Sequence, residues 1–229
     1  MLSDSQIERY SRQIILPQVG GKGQEKLLRA RVLVNGSGPI QTTVLLYLAA
    51  AGVGTIGVIT DEPSPVLFAF APDQRDAVSA ALTRLNPDCT VVLHGATDPA
   101  DLEQRVMGYD LVLSPPDPLH DVCYALRRPF VCAQVSTGDA WLFLCTGYEP
   151  SSPCLRCVPH HLSEESTDMH PTAPLFLGTL QATEAIKLIL GLPRSSAGKL
   201  LHCQFPTLHF SERPVQKDPQ CDLCRRIVS

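Results

Sequence analysis

The sequence predicts an α/β domain: a Rossmann-like, doubly wound, mostly parallel sheet, with antiparallel strands added toward the C-terminus and a structural zinc site. Three observations predict it. Short apolar strand patterns alternate with helical ones between residues 31 and 135, the order that builds parallel βαβ units covered on both faces. A glycine turn, Gly36-Ser37-Gly38, follows the first strand pattern and opens a helical one, the context a phosphate-binding loop requires. Two C-x-x-C pairs, Cys154 with Cys157 and Cys221 with Cys224, have the spacing of tetrahedral metal ligands.

Each element has its own signal. Ser3 can cap a first helix, in which Ile7, Tyr10 and Ile14 recur at near-helical spacing. Residues 24–30 read as a short second helix, and 31–36 as a buried strand ending in glycine. Residues 39–51 read as a helix apolar nearly all round, so deep packing is expected. Strand 54–60 follows. Helix 73–85 is stopped by Asn86-Pro87, and then come strand 90–94, helix 99–106, strand 109–113, helix 119–126 and strand 130–135. A turn at Gly138-Asp139 suggests antiparallel addition of strand 141–146. Residues 148–173, rich in proline, histidine and serine, read as a loop. Residues 175–190 form a strong helix ended by Gly191 and Pro193, and 199–203 and 207–210 are late strands. Residues 1–229 are therefore read as one domain: helices over 1–30, a nucleotide-fold half over 31–135, and antiparallel strands with a zinc-tied C-terminus over 136–229.

Bulk properties narrow the function. A net charge of −4 leaves no basic footprint for nucleic acid. The N-terminus is polar, unlike a signal peptide. The most apolar stretch, 44–59, is interrupted by Gly52, Gly54 and Gly57 and is too short for a membrane span. A cytoplasmic protein with reduced thiols is expected. Cys89, Cys123, Cys132, Cys145 and Cys203 lie mostly among apolar residues and read as buried packing groups.

The four paired cysteines fill a tetrahedral zinc shell with sulfur, leaving no open position for catalysis, so the metal should serve folding. Unligated or redox-active thiols are the alternative. Gly36 and Gly38 permit a tight turn and close approach of a phosphate to a helix N-terminus. Pro39 removes one N–H there, and Gln41 stands where a small residue usually packs; a merely structural turn is the alternative. Asp61 and Glu62 follow the second strand and could hold a ribose, Asp61 with a one-residue slip; a solvated strand end serves equally. His160-His161 could join a metal site but read better as an exposed loop.

Several segments together resemble the ThiF/MoeB/HesA family, relatives of ubiquitin-activating enzymes. They are residues 8–17 (ERYSRQIILP), 23–28 (GQEKLL), 31–34 (RVLV), 46–54 (LYLAAAGVG), 81–87 (ALTRLNP), 181–187 (QATEAIK) and both cysteine pairs. The resemblance implies ATP-dependent adenylation of a carboxylate, commonly the C-terminal glycine of a ubiquitin-like sulfur-carrier protein, with Mg²⁺ as cofactor. It implies roles for Gly36 and Gly38 in the nucleotide turn and for Asp117 in holding Mg²⁺. Arg75 stands where the family keeps a phosphate-contacting lysine. Arg12 corresponds to an arginine that reaches into the neighbouring subunit's ATP site, so a homodimer or a heterodimer with another family member is expected.

The departures are equally specific. Where the family carries Asp-x-x-Asn-x-x-Arg-Gln, residues 63–73 hold no arginine, lysine or asparagine. Pro118 replaces an asparagine after Asp117, and residues 163–174 contain no cysteine for thioester chemistry. The expectation is a retained fold with a degenerate ATP site and weak or lost activity. The alternatives are an active adenylyltransferase with a remodelled site, acting on a carrier or a small carboxylate, and a non-catalytic subunit or scaffold of a heterodimer. An NAD-dependent oxidoreductase is permitted by fold alone, but the cysteine pairs and the family opening argue against it.

Overall fold

The computed structural model describes residues 1–60, 77–95, 101–136, 139–146, 152–158, 172–193, 197–205 and 207–225. Its strands are β1 (Arg31–Asn35), β2 (Thr55–Ile59), β3 (Thr90–His94), β4 (Leu111–Ser114), β5 (Phe130–Ser136), β6 (Asp139–Cys145), β7 (Lys199–Gln204) and β8 (His209–Pro214). They form one sheet in the order β3-β2-β1-β4-β5-β6-β7-β8. Pairings are parallel from β3 through β5 and antiparallel from β5 through β8. The expected parallel half and antiparallel extension are both present.

Period-two alternation sends each strand's apolar side chains to two separate cores. Val32 and Val34, Leu111 and Leu113, Val131 and Ala133, and Leu142 and Leu144 enter one core. Leu33, Val112, Phe130, Cys132, Trp141 and Phe143 enter the other. Burial on both faces explains why these strands read as continuous apolar runs. The five cysteines outside the pairs are all buried.

The first core lies under α4 (Pro39–Ala51) and α8 (Ala173–Leu190). Gly38 is the N-cap of α4, Pro39 occupies its first turn, and Gly52 ends it at φ 86°. As expected, α4 is deeply packed, although Tyr47 and Ala50 face outward. Gly178 sets how closely α8 crosses it: a Cβ there would lie 2.5 Å from the Ile40 carbonyl oxygen. Among the described helices, α8 alone is long and apolar enough to cross a membrane. Its Leu177, Ala182 and Ala185 are buried in the first core, and Gln181 Nε2 donates to the Val131 carbonyl at 2.7 Å. It is a core helix.

The N-terminal helices α1 (Asp4–Arg9) and α2 (Ser11–Ile14) are pinned to the turn after α5 (Ala77–Leu85). Ser3 and Gln6 form a capping box at the start of α1. The Tyr10 hydroxyl donates to Asp88 Oδ2 at 3.0 Å and accepts from Asn86 Nδ2 at 2.9 Å, and Arg9 Nε and Gln6 Nε2 also reach Asp88.

Among the element bounds that differ from the sequence reading, including β4 (Leu111–Ser114, read as 109–113) and α6 (Leu102–Met107, read as 99–106), two have a specific physical reason. Helix α3 runs Gly20–Arg29, starting four residues earlier than expected. Gly23 packs so tightly on α8 that a Cβ would sit 3.0 Å from Leu190 Cδ2, so its place in the helix is set by a contact distant in sequence. Strand β8 begins two residues later and extends to Pro214. It is an exposed edge strand, where polar residues and a proline are tolerated.

Candidate functional site

The strand order reverses direction between β1 and β4, and in open α/β sheets ligands bind at this point, beyond the carboxyl ends of the strands. A crevice of about 360 Å³ lies there, lined by the turn 36–41 together with Pro115, Gln134 and Pro174. Gly36 adopts φ 101° and donates its N–H to the Ile59 carbonyl at 2.8 Å, a conformation glycine reaches without strain. Gln41 is buried and folds back over the turn, its Oε1 3.1 Å from where a Gly38 Cβ would stand. Because Gly178 lets α8 meet α4 at backbone distance, residues at the N-termini of both helices, Pro39 and Pro174, line the same crevice. Helix N-termini carry partial positive charge. Among the described lining residues none is basic.

On the other face of the sheet, β4 feeds the turn 115–118 and helix α7 (Leu119–Ala125). A second cavity of about 260 Å³ is lined there by Asp117, His120, Asp121, Trp141, Leu155 and Arg156, among others. Asp117 Oδ1 accepts the Leu119 N–H at 2.7 Å, which fixes the carboxylate at the mouth of the helix. His120 is buried; its Nε2 accepts the Leu155 N–H at 3.0 Å and lies 3.5 Å from Cys145 Sγ, while Nδ1 faces Asp121 Oδ1 at 3.4 Å. Burial pulls the imidazole down to about 4, outweighing the pull of Asp121 in the other direction. It is a neutral hydrogen-bonding group. Arg156 donates to both oxygens of Asp121, through Nε at 3.0 Å and through a second, shorter contact.

The four paired cysteines converge. Their sulfurs all lie within 4.8 Å of one another, with 3.8 Å between Cys154 and Cys157, 3.6 Å between Cys154 and Cys221, and 3.7 Å between Cys157 and Cys224. A tetrahedron with Zn–S bonds of about 2.3 Å has S···S edges of about 3.8 Å, whereas a disulfide needs about 2.05 Å. The donor set fits zinc. Burial and the neighbouring sulfurs push the Cys154 thiol far up, so a cation is what lets these groups ionise together. Asp218 donates its N–H to Cys157 Sγ at 3.4 Å, and a short 3₁₀ turn, Leu155–Cys157, closes the first pair into a knuckle.

The structure thus groups the four cysteines, and it puts Gly36 and Gly38 at the crevice. Asp117 lies on the opposite side of the sheet edge. Arg12 is exposed on α2 and does not line the crevice of its own chain. Asp61, Glu62, Arg75, residues 63–73 and His160-His161 lie outside the described residues. Sequence reasoning missed His120, Asp121 and Trp141. The available signal was His120, Cys123 and Tyr124 at i, i+3 and i+4 on the buried face of a short helix.

A family model described as "ThiF family" matches residues 10–62 and 73–223. The chain belongs to the ThiF family. It is 31% identical over 245 residues to the molybdopterin-synthase adenylyltransferase of Escherichia coli, covering 97% of this chain and 98% of that protein. It is 30% identical to the SAMP-activating enzyme E1 of Haloferax volcanii, over 97% of this chain and 90% of the other. Identity to the sulfur carrier protein adenylyltransferase of Thermus thermophilus is also 30%, over 96% and 91%. Among solved structures, E. coli MccB crystallised with ATP superposes with a TM-score of 0.79 at 21% identity, over 94% of this chain and 74% of that one. At that identity the likeness establishes the ThiF-type fold alone.

Proposed function

We propose that this ThiF-family chain adenylates the C-terminal carboxylate of a small sulfur-carrier protein, and that it does so weakly because its own grip on the triphosphate is poor. The observation that carries the reading is the crevice at Gly36-Ser37-Gly38, whose described walls offer backbone N–H groups and two helix N-termini but no basic side chain. Residues 63–73 add none, which leaves Arg75 as the cation that this stretch of the same chain offers. In adenylation a carboxylate oxygen attacks the α-phosphorus and pyrophosphate leaves, so negative charge accumulates as two anions meet. One lost charged contact to such a transition state typically costs about 10²–10³ in rate.

Asp117 is the residue that would hold a magnesium ion: Oδ1 is engaged by Leu119, and Oδ2 has no hydrogen-bond partner among the described residues. The metal would neutralise phosphate charge. Arg12 supplies the missing cation from a second copy or from a related chain. The exposed apolar residues Ile7, Ile15, Leu16 and Tyr47 accompany it on the α1, α2 and α4 surface, a composition suited to an interface. The zinc is structural, and the cytoplasm, with its reduced thiols, is the compartment that suits the cluster.

The carrier docks beside the crevice. Leu175 and Phe176 immediately follow Pro174, and with Leu208 and Phe210 they form an exposed apolar patch. The Phe176 ring lies 5.8 Å from that of Phe205 and 5.6 Å from that of Phe210. A protein seated there can feed its C-terminal tail over the sheet edge.

Exchange of labelled pyrophosphate into Mg-ATP, with and without a carrier ending in Gly-Gly, tests this. Carrier-dependent exchange slower than that of the E. coli relative by about 10² or more, and abolished by Phe210→Glu, is expected. Exchange at the relative's rate would overturn the weak grip. Calorimetry showing no nucleotide binding would leave a non-catalytic subunit as the function.

A further inference from the structure

The cysteine knuckle and the Asp117 turn are joined by a continuous set of contacts through α7. Asp117 Oδ1 accepts from Leu119 N–H, and its carbonyl accepts from His120 N–H at 3.1 Å. The next two side chains then reach the metal-binding segment directly: His120 Nε2 holds the Leu155 N–H, and Asp121 holds the Arg156 guanidinium. Leu155 and Arg156 are the two residues between the cysteines of the first pair. One turn further along α7, Tyr124 is buried in the same core as Cys221 and Cys224 of the second pair. Two side chains of a seven-residue helix therefore grip the segment between the first pair of cysteines, and a third packs in the core that holds the second pair.

We propose that the cysteine-bound metal anchors the turn that carries Asp117, with His120 and Asp121 as positioning residues that transmit the constraint. This rests on the proposed function only for what Asp117 does; the mechanical link stands on the contacts themselves. The physical reasoning is direct. The Leu155 N–H points at His120 only while Cys154 and Cys157 hold the 3₁₀ turn, and two cysteines three residues apart hold it when both bind one ion. His120 is buried against Phe130, their ring centroids 5.3 Å apart, so it cannot follow a loosened knuckle. Without the ion, the N–H leaves, His120 Nε2 loses its backbone donor, and the first turn of α7 gives up the contacts that fix Asp117. The zinc then serves the chemistry's geometry as well as the C-terminus.

Hydrogen exchange with mass spectrometry on the full chain tests the link, and the single tryptophan, Trp141, buried against the same cavity, supplies a second signal. Chelation should speed exchange over residues 117–121 by about tenfold or more, the loss of one to two net hydrogen bonds, and should shift Trp141 emission to the red. Asp121→Asn, with zinc content still at one per chain, should reproduce the faster exchange at 117–121 while β1 and β4 keep their protection. Arg156→Gln, at a half-exposed position with little effect on folding, should do the same, and Arg156→Lys should restore part of the protection. In pyrophosphate exchange, the Mg²⁺ concentration for half-maximal rate should rise several-fold in these variants while KM for ATP holds. Unchanged exchange at 117–121 after chelation or in the zinc-loaded variants, with only residues 221–225 loosening, overturns the proposal. A chain without pyrophosphate exchange would overturn the functional reading instead, and the hydrogen-exchange result would still decide the link.

Discussion

Asp88→Ala removes the residue on which the N-terminal helices are hung, and the structure sets its cost. The carboxylate accepts from the Tyr10 hydroxyl at 3.0 Å, Arg9 Nε at 3.2 Å and Gln6 Nε2 at 3.3 Å. The first is the strongest, because Tyr10 is 1% exposed and the acceptor is charged; such bonds contribute about 1.5–3 kcal/mol. Part is recovered, since the freed hydroxyl can still donate to Asn86 Oδ1 at 3.2 Å. The Arg9 pair is partly exposed and adds at most about 1 kcal/mol. The variant should lose about 2 kcal/mol in urea unfolding, and exchange over residues 4–14 should quicken. Tyr10→Phe alone should cost about 1.5 kcal/mol. The double variant should cost clearly less than the sum, with a coupling of about 1 kcal/mol. Additivity within about 0.5 kcal/mol would refute the reasoning, because it would mean that Tyr10 and Asp88 do not share one interaction. Since α1 and α2 carry Arg12, the same variant should also weaken any activity that needs Arg12 in trans, a loss read by pyrophosphate exchange.

Further outcomes follow from other contacts. Cys221→Ser should drop zinc content measured by inorganic mass spectrometry and loosen residues 221–225 before the sheet melts; a metal-free wild-type chain would contradict it. Gly178→Ala places a Cβ 2.5 Å from the Ile40 carbonyl oxygen and should cost about 2–3 kcal/mol. It should also weaken nucleotide binding by calorimetry, because it separates the two helix N-termini at the crevice. His120 titrates lower folded than unfolded, about 4 against 6.5. Its contribution is therefore complete above pH 6.5 and drains as pH falls toward 4, by about 3 kcal/mol. In His120→Gln, compared at equal zinc content, the urea midpoint should fall less on this acid limb. Arg127 sits at φ 54° just past α7, and Arg127→Gly should raise stability by about 0.5–1 kcal/mol in the same urea assay.

The parts of this fold that were legible in the sequence are those where one signal dominates. Helix α4 falls on its expected bounds because a glycine N-cap, an early proline and a C-terminal glycine all agree. The cysteine cluster was legible because C-x-x-C spacing is a local property of metal geometry. The start of α3 was not, because Gly23 is present for its contact with Leu190, a residue far along the chain. Nor was the role of His120, whose partners lie in a segment 35 residues away. In sequence it resembles any histidine on a short amphipathic helix. Arg12, by contrast, was singled out on resemblance, and among the described residues of a single chain no hydrogen bond or ion pair explains it.

The topology explains why the candidate site is divided. At the switch point the helix after β1 turns to one face of the sheet and the helix after β4 to the other. The glycine turn and Asp117 therefore leave adjacent strand ends in opposite directions, and a substrate lying across the sheet edge can touch both. On the glycine side the described walls contribute only helix ends, each equivalent to about half a charge, against a multiply charged triphosphate. On the Asp117 side the fixed side-chain charges are a carboxylate and the self-paired Asp121 and Arg156. Among the described residues neither side offers a free cation to the phosphates of the proposed reaction. In that reaction the balance would come from a metal ion at Asp117, from Arg75 or from a basic side chain of another chain. This is why the geometry of the Asp117 turn and the docking of Arg12 are the two features on which activity should depend most steeply.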